Sequence, residues 1–304
     1  MSNRSANFSY VVFPSDLEAS RPPLDLTPRP PRVMHPEVHP ALLEHDEAFV
    51  HQILRTAGLR PEHYKPGTLF RRLPACLRAL RANTTGAARR HVETAPAVVP
   101  VALDALMIGV TSFFRDACVF ARLRDELLPQ LIDETGGQLR VWSAGCSEGH
   151  ELYSVAVLLS EASCLLRSRL VGTDCRATAV ASATAGVFSA AEMLAMPTAL
   201  RDRYFVPHAG GSEGAWRALN VLRCAMQFRA ADVLQQAEPG LHDVILCRNL
   251  SIYLQPNAAM QLWQCLEAAL RPGGVLVLGK AETPTGATRL SQVAPGLFRR
   301  SRGQ

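Results

Sequence analysis

After Gly136-Gly137 the sequence changes texture, and that change limits the fold more than any other feature of the chain. Short apolar runs rich in β-branched residues begin to alternate with longer helical ones. Leu139 to Ala144 reads as a strand, Glu151 to Leu166 as an apolar helix and Leu170 to Asp174 as a second strand. Met226 to Phe228 and Asp243 to Cys247 supply two more. Pro256 to Leu270 reads as a helix closed by Pro272-Gly273-Gly274, with Val275 to Leu278 a further strand. Short buried strands alternating with helices build a mostly parallel sheet, so the fold class is α/β. There is no internal repeat.

Upstream the pattern differs. From about Pro14 to Pro40 prolines recur in Arg21-Pro22-Pro23 and Pro28-Arg29-Pro30-Pro31-Arg32. Such a stretch can neither pair its backbone nor build a core, so residues 1–40 are expected to form a disordered tail. Residues 41–125 read as a small helical domain: Leu42-Leu43, Phe49-Val50 and Ile53-Leu54 recur at helical steps, as do Leu69, Leu73, Leu77 and Leu80. Lys65-Pro66-Gly67 marks a turn between them. Lys65, Arg71, Arg72 and Arg78 form a basic stripe, which is either a solvated face or a docking face for an acidic surface. Residues 126–304 would then make the α/β domain.

Composition excludes several classes. The 304 residues are 48% hydrophobic, enough for a sizeable core. No apolar run approaches the ~18–20 residues that cross a bilayer, and Met1 to Tyr10 holds no signal-peptide core. A cytoplasmic protein without membrane insertion is expected. None of the eight cysteines forms a C-x-x-C pair or sits near histidine at zinc-like spacing. They are expected to be reduced core thiols, and no metal site is expected.

The chemistry-bearing segment is Val141-Trp142-Ser143-Ala144-Gly145-Cys146-Ser147-Glu148-Gly149-His150-Glu151, a strand ending in a glycine turn that opens a helix. Gly145 and Gly149 would let the backbone approach a ligand and take positive φ. Glu151 falls in the first helical turn, where it can meet an ammonium group. Asp174 ends the next strand, where an acid can accept both hydroxyls of a ribose. The pair suits an adenosine ligand with a cationic amino-acid tail, whereas Glu148 and Glu151 would repel a pyrophosphate.

Further segments then fall into a recognisable order: Tyr64-Lys65 with Arg71-Arg72, Val110-Thr111-Ser112-Phe113-Phe114-Arg115-Asp116, the glycine turn with Tyr153-Ser154, and Asp174. Arg203-Tyr204-Phe205, Cys247-Arg248-Asn249 with Ile252-Tyr253, and Glu282 follow. In this order the chain resembles the CheR family, S-adenosylmethionine-dependent methyltransferases that esterify glutamates on bacterial chemoreceptors. The resemblance runs from about residue 42 to 300. It implies a Rossmann-like methyltransferase domain preceded by a small all-helical domain, with a small inserted β-subdomain near Val206 to Gln227.

The resemblance also implies roles. Glu151 would contact the methionine amino group of the cofactor, Asp174 its ribose, and Asp232-Val233 its adenine. Thr111, Arg248 and Asn249 belong to the same shell. Arg115 and Tyr253 would border the departing methyl group. Four positions depart from the usual pattern: Gly109 replaces an asparagine, Glu148 a small residue, His150 the first of two acids of which Glu151 is the second, and Asp232 an asparagine. A lost hydrogen bond at position 109 is worth roughly 0.5–1.5 kcal/mol. Three function classes remain open: an active protein-glutamate O-methyltransferase acting on a chemoreceptor or receptor-like signalling protein, a cofactor-binding but catalytically weak signalling module, and a methyltransferase of another substrate such as nucleic acid. The last ranks lowest, because no basic groove interleaved with aromatics is present.

Overall fold

The computed structural model describes residues 40–303, except 108, 110, 211, 212 and 288. The proline-rich tail expected at 1–40 therefore lies, but for Pro40, outside the described residues. The first five strands are β1 (Arg140–Ala144), β2 (Arg169–Asp174), β3 (Val187–Phe188), β4 (Phe205–Pro207) and β5 (Trp216–Ala218). Then come β6 (Met226–Ala230), β7 (His242–Cys247), β8 (Leu270–Leu278), β9 (Leu290–Ala294) and β10 (Leu297–Arg300).

Seven strands form one sheet in the order β6-β2-β1-β7-β8-β10-β9. Neighbours from β6 to β8 run parallel, while β10 and β9 are added antiparallel beyond β8. The α/β, Rossmann-like fold is as expected. From β1 the chain steps outward to β2 and β6, then returns to lay β7 against the other side of β1. This reversal is the place where the carboxyl ends of parallel strands open a crevice.

Alternation along the strands fills both faces. Val141, Val244, Leu246, Val275 and Val277 join a core with Leu152, Val155 and Leu159 of the helix His150–Glu161. Trp142, Ile245, Cys247, Leu276 and Leu278 face the other way. There they share a core with Phe49, Val50, Ile53 and Leu54 of the helix Pro40–Thr56 and with Leu73 and Cys76 of Leu73–Ala79. Each fully buried aliphatic side chain of this kind contributes about 1.5–3 kcal/mol.

Four expectations from the sequence need correction. The helix after the glycine turn ends at Glu161 rather than Leu166, because Ser163 takes a left-handed φ of 58° that a helix cannot hold. Pro272-Gly273-Gly274 closes no helix. It lies inside β8, where the register against β7 shifts between His242 and Val244, and such an irregularity is where a strand tolerates proline. The expected helix across Leu69 to Leu80 is two helices, Pro66–Phe70 and Leu73–Ala79, with Pro74 starting the second. The small inserted sheet has the order β3-β5-β4, all antiparallel, so it draws in Val187–Phe188 from well before Val206. The glycine-rich segment falls in the chain between β4 and β5, and β6, which begins at the end of the expected insert, belongs instead to the large sheet.

Of the eight thiols, Cys76, Cys146, Cys164 and Cys247 are buried as expected, whereas Cys118 and Cys224 are exposed. No helix among the described residues is long and apolar enough to cross a membrane.

Candidate functional site

Beyond Ala144 the chain turns through Gly145 (φ 72°), Ser147 (φ 50°) and Gly149 (φ 88°). The turn is stitched to β2: Gly145 N and Cys146 N donate to Thr173 O at 2.8 and 2.9 Å, and Ser147 N donates to Asp174 Oδ2 at 2.8 Å. Asp174 thus fixes the loop it faces. The two glycines differ in purpose. Gly145 lines a cavity of about 370 Å³ at the switch point, within the range of small-ligand sites. Gly149, expected to face the ligand, does not line it. A Cβ there would sit 3.0 Å from Ala183 Cβ and 3.2 Å from the Phe228 ring, so this glycine serves close packing of the helix start.

Thr111, Arg115, Glu151, Asp174, Arg248, Asn249 and Tyr253 line the same cavity as Gly145. A smaller adjoining cavity shares Gly145 and Asp174 and is lined by Asp232 and Val233. Residues as distant in the chain as Thr111 and Tyr253 are thereby brought together by loops. The loop bearing Thr111 and Arg115 is held by burial of Phe113 and Phe114 and by Phe114 N donating to Ser154 Oγ at 3.0 Å. The loop after β7 is held by Glu282. Its buried carboxylate accepts from Asn249 N (2.6 Å), Ser251 N and Oγ (both 2.8 Å) and Gly279 N (2.9 Å). Phe114, Asp116, Ser147 and Asn249 all adopt left-handed φ, a cluster of non-glycine residues in costly geometry around one cavity.

Charges in the site are arranged in pairs. Arg248 Nη1 donates to Glu151 Oε1 at 2.7 Å, and its Nη2 donates to Asp116. Burial raises the Glu151 carboxyl above the ordinary carboxylate range, while Arg248 and Arg115 pull it down. Asp174 Oδ1 accepts from Arg176 N at 2.9 Å and from Arg176 Nε at 3.2 Å. Arg176 Nη2 also reaches Ser147 Oγ at 2.9 Å. Sequence reasoning missed Arg176, which lines the cavity and stands where a side chain at 109 would go: a Cβ on Gly109 would be 2.3 Å from Nη2. The replacement of asparagine by Gly109 was the visible signal. The Asp232 carboxylate is engaged locally, accepting from Leu234 N at 3.0 Å and Gln235 Nε2 at 2.9 Å.

Several polar atoms of the lining have no hydrogen-bond partner although they are buried: Thr111 Oγ1, Asn249 Oδ1 and Arg248 Nε. Buried polar groups are ordinarily satisfied, so orphans gathered around one cavity fit a polar ligand. A ligand with an ammonium end and a ribose suits this set, since Glu151 and Asp174 both face the space and accept hydrogen bonds.

The basic stripe does not form one face. The break between the two short helices turns Arg72 inward, where its Nε donates to Ala105 O at 3.2 Å. Lys65 Nζ donates to Ile252 O at 3.1 Å, beside the Tyr253 loop. Arg71 and Arg78 remain exposed.

A family model described as CheR methyltransferase, SAM binding domain, matches residues 109–296. Chemotaxis protein methyltransferase 2 of Pseudomonas aeruginosa is 30% identical over 246 residues, 79% of this chain and 86% of that protein. A chemotaxis protein methyltransferase of Listeria monocytogenes is 28% identical over 234 residues, covering 77% and 88%. Chemotaxis protein methyltransferase 2 of Vibrio cholerae is 30% identical over 208 residues, covering 66% and 70%.

Proposed function

The chain belongs to the CheR family of S-adenosylmethionine-dependent methyltransferases, and from that premise we propose that it methylates glutamate side chains of a chemoreceptor or receptor-like signalling protein. One observation carries the reading: Glu151, Asp174, Arg115 and Tyr253, far apart in sequence, line a single cavity at the switch point. The relatives' names supply the signalling context.

Glu151 would take the ammonium group of the methionine moiety through the oxygen that Arg248 leaves free. Asp174, held in place by Ser147 N and Arg176, would accept the ribose hydroxyls. Asp232 and Val233 would flank the adenine in the adjoining cavity, while Thr111 Oγ1 and Asn249 Oδ1 would find the partners they lack. When bound, the cofactor supplies a methyl group already activated by its positive sulfur. A solvated glutamate side chain titrates near pH ~4.3, so the substrate carboxylate is ionised at neutral pH and no residue has to act as a base. Arg115 would steer the incoming carboxylate by gripping one oxygen and leaving the other to attack. Tyr253 would close the pocket against water. Near-attack positioning of this kind is worth up to ~7–11 kcal/mol. Exposed Arg71 and Arg78, with Lys65 nearer the pocket, would meet an acidic receptor surface.

The test is transfer of labelled methyl from S-adenosylmethionine to a purified receptor signalling domain. The proposal expects label that alkali releases as methanol, the mark of a methyl ester. Label that resists alkali would refute ester formation. Cofactor binding without transfer would favour the catalytically weak signalling module. Transfer to nucleic acid with a steep salt dependence would favour the third class.

A further inference from the structure

Two of the positions where this chain departs from its family's usual pattern, Glu148 and His150, meet a third residue that sequence reasoning passed over. Glu192 lies in the short helix Ala190–Met193, just after β3 of the small sheet. One ligand atom from each of the three falls within 4.8 Å of the others. The imidazole is almost completely enclosed, with 1% of its side chain exposed. Its ring is wedged edge-on between Phe113 and Phe188, at 4.8 and 4.9 Å between centroids. Nε2 lies 3.0 Å from Glu192 Oε1, while Nδ1 makes no hydrogen bond. That contact is the main reason the Glu192 carboxyl is held down at about 2, so the carboxylate stays ionised beside the ring.

Glu192 is oriented from behind. Its Oε2 accepts from Ser189 N at 2.8 Å and from Ser189 Oγ at 2.6 Å, which leaves Oε1 turned toward the imidazole. A carboxylate held on one oxygen and presented on the other is the usual setting of a metal ligand. Glu148, half-buried at the end of the glycine turn, brings a second carboxylate to the same point. Two carboxylates facing each other across a buried ring repel unless a cation lies between them. A metal ion would supply that cation and take a ring nitrogen as a ligand.

We propose that Glu148, His150 and Glu192 form a binding site for a divalent transition metal, with zinc as the best match. One imidazole and two carboxylates make a mixed nitrogen and oxygen donor set that suits a four-coordinate ion with a water in the remaining position. Ligand bonds of ~2.0–2.2 Å require the three atoms to close by roughly 1 Å, a shift that rotation of the half-buried Glu148 can supply. The ion would tie the glycine turn of the cofactor site to the small β-sheet. Its role would be structural coupling between the two, and the proposal is independent of which substrate is methylated.

The test uses the full chain stripped with chelator, titrated calorimetrically with Zn²⁺ and, as a spectroscopic probe, with Co²⁺. Wild type is expected to bind one equivalent, to gain thermal stability with Zn²⁺, and to show weak visible cobalt bands without the intense near-ultraviolet band of thiolate ligation. Glu148→Gln with Glu192→Gln is expected to weaken binding by roughly tenfold or more. Glutamine at 192 keeps the capping interaction with Ser189, so the variant should fold. His150→Gln provides an independent check on the nitrogen ligand. Absence of binding by wild type, affinity unchanged in the double variant, or a thiolate band carried by the exposed cysteines would each overturn the proposal and leave His150 and Glu192 as an ion pair only.

Discussion

Placing a side chain at position 109 is expected to displace the Arg176 guanidinium from the cofactor cavity. The backbone is no obstacle, because Gly109 lies outside the left-handed region. The obstacle is Arg176 itself: a Cβ at 109 would be 2.3 Å from Nη2, 2.6 Å from Nη1 and 2.7 Å from Cζ. Leaving that position breaks the Nε bond to Asp174 at 3.2 Å and the Nη2 bond to Ser147 Oγ at 2.9 Å. Charge-assisted bonds of this kind contribute about 1.5–3 kcal/mol each. The freed guanidinium regains water, so a net loss of about 2 kcal/mol is expected for Gly109→Ala. For a chain of this size that is a fall of about 3 °C in Tm. The assay is a double-mutant cycle read by thermal unfolding, with Arg176→Ala as the second change. In that background Gly109→Ala should cost nothing and should stabilise by about 0.4–1 kcal/mol through the unfolded chain. A coupling of about 2.4–3 kcal/mol would support the account. An equal loss in both backgrounds would refute it and show that the glycine answers to something other than Arg176.

The remaining expectations concern the site. Arg115→Ala should leave cofactor affinity largely intact and lower methyl transfer by about tenfold or more, which is ~1.4 kcal/mol of transition-state stabilisation. Equal loss of affinity and rate would place Arg115 in the cofactor site instead. Asp174→Ala should weaken cofactor binding in calorimetry by about tenfold or more, and unchanged affinity would end the ribose assignment. Because burial raises Glu151 above its ordinary value of 4.5, this group takes up its proton at a higher pH than a solvated carboxylate. Cofactor affinity should therefore hold at high pH and decline on acidification with a midpoint above that value, and Glu151→Gln should abolish the dependence. Glu282→Gln turns an amide NH₂ toward backbone donors and should cost about 1–3 kcal/mol, visible as a lower Tm and looser cofactor binding.

Much of this was legible because the physics was local. Val141 to Ala144 and Val244 to Cys247 announce buried strands through composition, and the acid ending β2 lines the cavity that its position announces. What escaped depended on distant encounters. Arg176 gives no sign in sequence that it will fill the space left by Gly109, because the two meet only after the sheet has formed. Glu192 is 42 residues from His150, and nothing in spacing alone joins them. Pro272-Gly273-Gly274 has the signature of a helix stop, yet pairing on both sides of an irregular step kept it inside β8. The arginine stripe followed helical periodicity across a boundary that Pro74 interrupts.

The core beneath the second face of the sheet joins parts that the sequence separates. Trp142, Ile245 and Leu276 pack in the same cluster as Phe49, Ile53 and Leu54, so the first helix and the central strands have no independent interiors. They should melt as one cooperative body, and a fragment beginning near residue 126 would present a bare hydrophobic wall to water. Ligation at the switch point then acts by mass action on the whole body, raising the protection of the N-terminal helices against proteases and amide exchange well beyond Leu69 and Leu106, the helical residues that line the cavity. Occupancy of that cavity and the integrity of the N-terminal helices are, in that sense, read out by the same unfolding equilibrium.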